Sequence, residues 1–175
     1  MITNRIRQFF SAIFSNITEE DQLFLKKHLQ PNEQALFMAM DVPTQKHCLN
    51  VAYSCQHLLE KQTGINRTLL LRSALLHDCG KLAGEVKTWH RVIFVVVNKL
   101  LPTLRDKLIQ RGQSGSRCSL CRAFYINSIH SARGAYFAQQ ADVELPVIVL
   151  IKEHHNGNIK YPPELLILQQ ADELN

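Results

Sequence analysis

The chain has no long apolar run. Its most hydrophobic stretch, Val92-Ile-Phe-Val-Val-Val97, ends at Asn98 and Lys99, far short of the roughly 20 residues a membrane-spanning helix needs. It has no cluster of basic residues either. Lys and Arg outnumber Asp and Glu by 20 to 15, giving a net charge of +5, but they are scattered along the sequence. That balance suits a small anionic substrate and gives no reason to expect nucleic-acid binding. There are no repeats and no low-complexity segment. Cys118-Ser-Leu-Cys121 is a lone CxxC with no second pair, so an ordinary pair of thiols is the simpler reading, with a zinc knuckle or a redox pair as the alternative. Five cysteines, an odd number, fit reduced thiols in a cytoplasmic protein better than a disulfide framework. Cys48 and Cys55, seven apart, read as small core residues.

What is present is helical punctuation. At 175 residues with 46% hydrophobic and 20% charged residues, the chain can build one domain with a core of its own. Arg5 and Arg7 followed by Phe9, Phe10, Ile13 and Phe14 outline an amphipathic helix rather than a secretory signal. Packing on the body is expected, with a membrane surface or a partner as the alternative. Thr18 and Asp21 form a capping box for a helix through Leu29. Pro31 is expected to break it, and Asn32 to cap a short helix from Glu33 to Met40. Pro43 opens a helix to about Gln62, stopped by Gly64. Asn66 caps the next, through His77. The run 88–101 is rich in Val and Ile, but its length and polar ends favour a buried helix ended by Pro102. Gly112 to Ser116 reads as a loop. Helices follow over Leu120 to Ala141, over Pro146 to His155, and after Pro163. The expected fold is all-α, with residues 1–40 as an N-terminal helical extension and 41–175 as the main domain.

The chemistry lies in the histidines. Of eight, His28 and His57 look like ordinary helix residues and His90 is ambiguous. His47 edges the apolar stripe of Cys48, Val51, Ala52, Cys55, Leu58 and Leu59. The stretch "LLHDCGK" puts His77, Asp78 and Lys81 at the end of an apolar helix. A buried carboxylate is costly unless it is paired or bound to metal, so Asp78 needs either a cation or the Lys81 ammonium. Adjacent helix positions point about 100° apart; His77 and Asp78 can face one ion only where the helix ends, and Gly80 is suited to that bend. His130 falls in the long helix near Ile126 and Ile129. His154 and His155 follow Val147 to Ile151, and Asp172 closes the last helix. Five histidines and two carboxylates on inward faces of separate helices suit Mn, Fe, Co, Ni or Zn.

This pattern resembles the HD-domain metal-dependent phosphohydrolases, whose signature is a histidine, a later His-Asp pair and a distal aspartate. His47, the His77-Asp78 doublet and Asp172 in "QQADELN" match it. The resemblance implies a helical bundle with a central metal site. His130 in "HSARGAYFA" and His154-His155 in "EHHNGN" match the family subset that holds additional metal. "HHNGNIKYP" is similar to the cyclic-dinucleotide phosphodiesterase branch, but Lys160 occupies the place of the glycine in that branch's Gly-Tyr-Pro motif. Cyclic di-GMP is therefore not the expected substrate. The resemblance implies one or two divalent ions held by His47, His77, Asp78, His130, His154, His155 and Asp172. Asp78 and Lys81 would be the catalytic pair, and the substrate a small anionic phosphoester of nucleotide type. A non-catalytic, metal-stabilised module for ligand binding or signalling is the alternative, and the sequence leaves the oligomeric state open. Arg133, one turn after His130, is a further candidate for a substrate phosphate.

Overall fold

The computed structural model describes residues 16–60, 62–159 and 161–175. The amphipathic stretch through Phe14, and Lys160, lie outside the described residues. The described chain is all-α: α1 Glu19–His28, α2 Pro31–Met38, α3 Val42–Leu59, α4 Arg67–Leu76, α5 Thr88–Leu100, α6 Pro102–Gln113, α7 Ser119–Gln140, α8 Leu145–Glu153 and α9 Pro163–Leu174.

Local chemistry sets most of the helix starts. Thr18 and Asp21 form the expected capping box. Asp41 accepts the Thr44 amide at 2.9 Å, and Asn66 accepts the Leu69 amide at 3.1 Å, each satisfying a donor that a helix start leaves free. Two expectations are corrected. Asn32 does not cap the second helix: α1 ends ahead of Pro31 as expected, but α2 opens at Pro31 itself with Gln30 at its N-cap, the missing proline N–H not being needed there. Gly112 is not in a loop: α6 runs through Gln113 and Gly112 is buried. A Cβ there would meet the Cys121 carbonyl oxygen at 2.2 Å, so glycine is what lets α6 lie against α7. Helix α6 itself was not legible, because Gly112 is its only buried residue and it has no strong apolar stripe to detect.

One core joins α1 to α4 with α7, α8 and α9. From Leu70 to Leu76 every residue of α4 is buried, with α3 beneath it and α8 and α9 across it. Leu25, Leu29, Phe37 and Met40 belong to that same core, so residues 19–40 pack on the domain. A fully buried Leu or Phe contributes roughly 1.5–3 kcal/mol relative to exposure. Glu33, wholly buried, receives Arg72 through Nε at 3.0 Å and Nη2 at 2.8 Å, which compensates its lost hydration. Asp21 is held likewise by Lys46 at 2.7 Å and Tyr53 at 2.9 Å. A smaller core, Val86, Phe94 and Val97 against Ala123, Phe124 and Ile126, fastens the α5–α6 hairpin to α7. Cys48 and Cys55 are core residues, and all five cysteines are free.

Candidate metal centre

The helix α4 ends where the chemistry begins. His77 is its C-cap. The chain then tightens into turns in which Cys79 N–H donates to the Leu76 carbonyl at 3.0 Å and Lys81 N–H to the Asp78 carbonyl at 2.9 Å. This departure from the helix lets neighbouring His77 and Asp78 converge. Gly80 is needed for a different reason from the one the sequence suggested. A Cβ at Gly80 would lie 2.0 Å from the His130 carbonyl oxygen, so the absent side chain allows the turn to press on α7. Gly134 faces it, with its ideal Cβ position 3.1 Å from Gly80 N. This mid-helix glycine is the feature the sequence reading passed over, and it was visible as the only glycine within α7.

The seven expected ligands come together from five elements: His47 from α3, His77 and Asp78 from the end of α4, His130 from α7, His154 and His155 from the end of α8, and Asp172 from α9. His47 Nε2 lies 3.0 Å from Asp172 Oδ1, and His77 Nε2 lies 3.6 Å from the same oxygen. Asp78 stands between two groups, with Oδ1 3.1 Å from His130 Nε2 and Oδ2 4.0 Å from His77 Nε2. Three sets of ligand atoms fall within 4.8 Å of one another: His47–His77–Asp172, His77–Asp78–His154 and His130–His154–His155. Lys81 donates to Asp78 Oδ2 at 2.8 Å, so the ion pair expected as an alternative exists within the cluster.

Three of the imidazoles are oriented in one way. Nδ1 of His77, His130 and His154 sits 2.8, 2.7 and 2.7 Å from the carbonyl three residues earlier, that of Ala74, Asn127 and Ile151. A carbonyl only accepts, so Nδ1 carries the proton and Nε2 presents a lone pair. Yet His130 Nε2 and His154 Nε2 are 3.3 Å apart, and His130 Nε2 also faces the Asp78 carboxylate. Neutral imidazoles protonated at Nδ1 cannot satisfy these contacts, whereas a shared cation can. His77 Nε2 is buried without a hydrogen-bond partner, which is costly unless something else fills that role. Backbone carbonyls fixing the far nitrogen are the usual outer support of metal-ligating histidine. The donor set of nitrogens and carboxylate oxygens without thiolate fits a divalent transition metal.

The electrostatics agree for three of the rings; at His77 burial opposes charge, but Cys48, Asp78 and Asp172 hold its pKa well above the ordinary value. Burial lowers the pKa of His154, reinforced by its neighbouring histidines, and burial together with Lys81 lowers that of His130. His155 is pushed down to about 4, by burial first and then by His130. These rings are neutral near pH 7, as ligands must be. Burial opposes charge on Asp78, but Lys81, His77 and His130 hold its carboxyl well below the usual range. Burial also opposes charge on Asp172, and His47 and His77 hold its carboxyl low.

For stability the sign follows from His155. An unfolded histidine takes its proton near pH 6.5, while folded His155 resists until about 4. Between those values the unfolded state binds more protons, so stability falls as pH falls. Metal-free protein is therefore expected to lose thermal stability between about pH 6.5 and 4, and His155→Gln to flatten that slope in a melting series. An unchanged slope would contradict the assignment.

Arg133 is not placed for a substrate phosphate. It donates to both oxygens of Glu85, at 2.6 and 3.0 Å, and to the Gly80 carbonyl at 3.1 Å, clamping the turn on α7. His57 is exposed, apart from the cluster. His90 caps α5, its Nδ1 accepting from the Lys87 amide at 3.0 Å.

A family model described as the HD domain matches residues 44–175. No curated protein and no solved structure matches the chain. The family match spans every residue of the His/Asp cluster, and the chain belongs to the HD-domain family of metal-dependent phosphohydrolases.

Proposed function

We propose that the chain hydrolyses a small phosphomonoester or phosphodiester, nucleotide-type by preference, with one or two divalent transition-metal ions held in the His/Asp cluster. The observation that carries this reading is the set of lone pairs on His77, His130 and His154, pinned by backbone carbonyls and turned toward one another and toward Asp78. His47, His77 and Asp172 would hold one ion, and His130, His154 and His155 a second, with Asp78 reaching both sets. A metal bound there would supply a Lewis acid and a water of lowered pKa.

The protein's own part is positioning. Lys81 fixes the Asp78 carboxylate at 2.8 Å and brings an ammonium beside the place where phosphoryl charge would develop, which favours the transition state over the ground state. His155 is the exposed member of the cluster and the first that an entering substrate meets. The surrounding helices exclude water from His77, Asp78, His130 and His154, while His47 and Asp172 stay partly exposed, so charges on the buried side of the site act through a low dielectric.

A panel of phosphatase and phosphodiesterase substrates, run on metal-loaded protein, tests the proposal. Turnover that depends on divalent metal supports it. Bound metal with no turnover on any phosphoester would replace it with a non-catalytic module. His57→Ala should retain wild-type turnover within about twofold, since surface changes away from such features rarely matter. A large loss would show that the histidines were sorted wrongly.

A further inference from the structure

The outward face of α5 is unusual. His90, Phe94 and Val97 face the protein, yet the opposite side of the same helix is also apolar. Trp89, Val96 and Leu100 are 45%, 47% and 66% exposed, with Val92 and Val95 alongside. An amphipathic helix ordinarily turns its apolar side inward, and an exposed apolar patch of this kind marks an interaction site. Exposed apolar residues continue along the chain at Leu101 and at Leu104 on α6, where Leu104 shares its face with Lys107 and Arg111 at i+3 and i+7.

Charge gathers in the same place. Residues 87–122 hold eight Lys and Arg against the single Asp106, while the rest of the chain holds twelve against fourteen Asp and Glu. The positive excess is therefore concentrated in α5, α6 and the start of α7, where Arg91 is tied to Asp41 and Arg105 to Asp106 and the lysines and other arginines carry the remaining charge. Lys87, Lys99 and Lys107 are exposed beside the apolar stripe.

We propose that the α5–α6 hairpin docks on an anionic lipid surface, its apolar stripe entering the interface and its lysines meeting the headgroups. A second copy of the chain would bring like charge against like charge. A nucleic acid would satisfy the cations but leave the aliphatic stripe in water. An anionic bilayer interface takes up both, and tryptophan with flanking lysine is a combination that settles there. Among the described residues no helix is long and apolar enough to cross a membrane, so the contact is on the surface. It is independent of the metal chemistry.

The one tryptophan of the chain lies in the stripe and reports the event. Full-length protein should co-float with vesicles of equimolar phosphatidylcholine and phosphatidylglycerol, with a blue shift of Trp89 emission. It should not float with phosphatidylcholine alone, and raised salt should weaken binding. Lys99→Glu with Lys107→Glu should reduce binding about thirtyfold or more, and Val92→Asp with Val96→Asp should abolish the emission shift. Both pairs are on the surface; if the valine variant loses helicity, the lysine variant decides. Flotation that survives the lysine substitutions, or no flotation on anionic vesicles, overturns the proposal. So does retention on duplex RNA, on an acidic polypeptide or in a concentration-dependent dimer when vesicles are not bound.

Discussion

Asp78→Ala is expected to abolish phosphoester hydrolysis and to strip metal from the purified protein while the helical circular dichroism is retained. Asp78 is the group that reaches both ligand sets, through Oδ1 to His130 and Oδ2 toward His77. Its loss should therefore exceed the roughly 10–100-fold effect typical of an outer-shell partner. The substitution also leaves the Lys81 ammonium, now mostly buried, without its carboxylate. Some loss of stability accompanies the loss of activity for that reason. Asp78→Asn separates the two effects, because it keeps shape and a hydrogen-bond acceptor but removes the charge. If charge toward metal is what matters, the asparagine variant should be as inactive as the alanine variant and more stable. Wild-type turnover by either variant would remove Asp78 from the mechanism.

Gly80→Ala should have the largest effect of any single-methyl change in the chain. The added Cβ would stand 2.0 Å from the His130 carbonyl oxygen and 2.8 Å from Gly134 N. Both are backbone atoms of α7, so no rotamer change relieves the contact and the turn must move away from the helix. Overpacking of this kind costs about 1–3 kcal/mol, occasionally more, or several degrees of Tm for a chain of this size. The chemical consequence is sharper than the thermal one, because the same movement separates Asp78 from His130. Metal affinity and kcat should fall together while the protein still folds. Gly157→Ala is the matched control: nothing lies within 4 Å of a Cβ there, and its effect should stay within about 0.5 kcal/mol. Equal behaviour of the two variants in melting and metal titration would show that the close approach of turn and helix does not set the site.

Much of this was legible because it depends on short-range chemistry. Thr18 and Asn66 cap helices through side chains that reach only three residues onward. The buried stripes of α3 and α4 follow the helical period, and the doublet at 77–78 stood out because a carboxylate in an apolar segment demands a partner. Other features depend on contacts far apart in sequence. Arg133 could not be recognised as a clamp without knowing that Glu85 lies beside it. The reason for Gly80 was not a bend in its own chain but the surface of α7. Helix α6 escaped because Gly112 is its one fully buried residue and its apolar side chains, Leu108 and Ile109, are only partly covered. The charge on α5 and α6 was present in the sequence but went unremarked, because its lysines and arginines stand singly among neutral residues.

The central claim is that a cation fills the space between the three carbonyl-pinned imidazoles and the two carboxylates. It is tested most directly by elemental analysis of protein purified without chelator, paired with a phosphoesterase assay before and after metal removal. The expected result is a divalent transition metal at between one and two ions per chain, with activity and thermal stability both lost on chelation and both restored on reloading. A metal-free protein that hydrolyses phosphoesters at an undiminished rate, or one that refuses metal altogether, would contradict it.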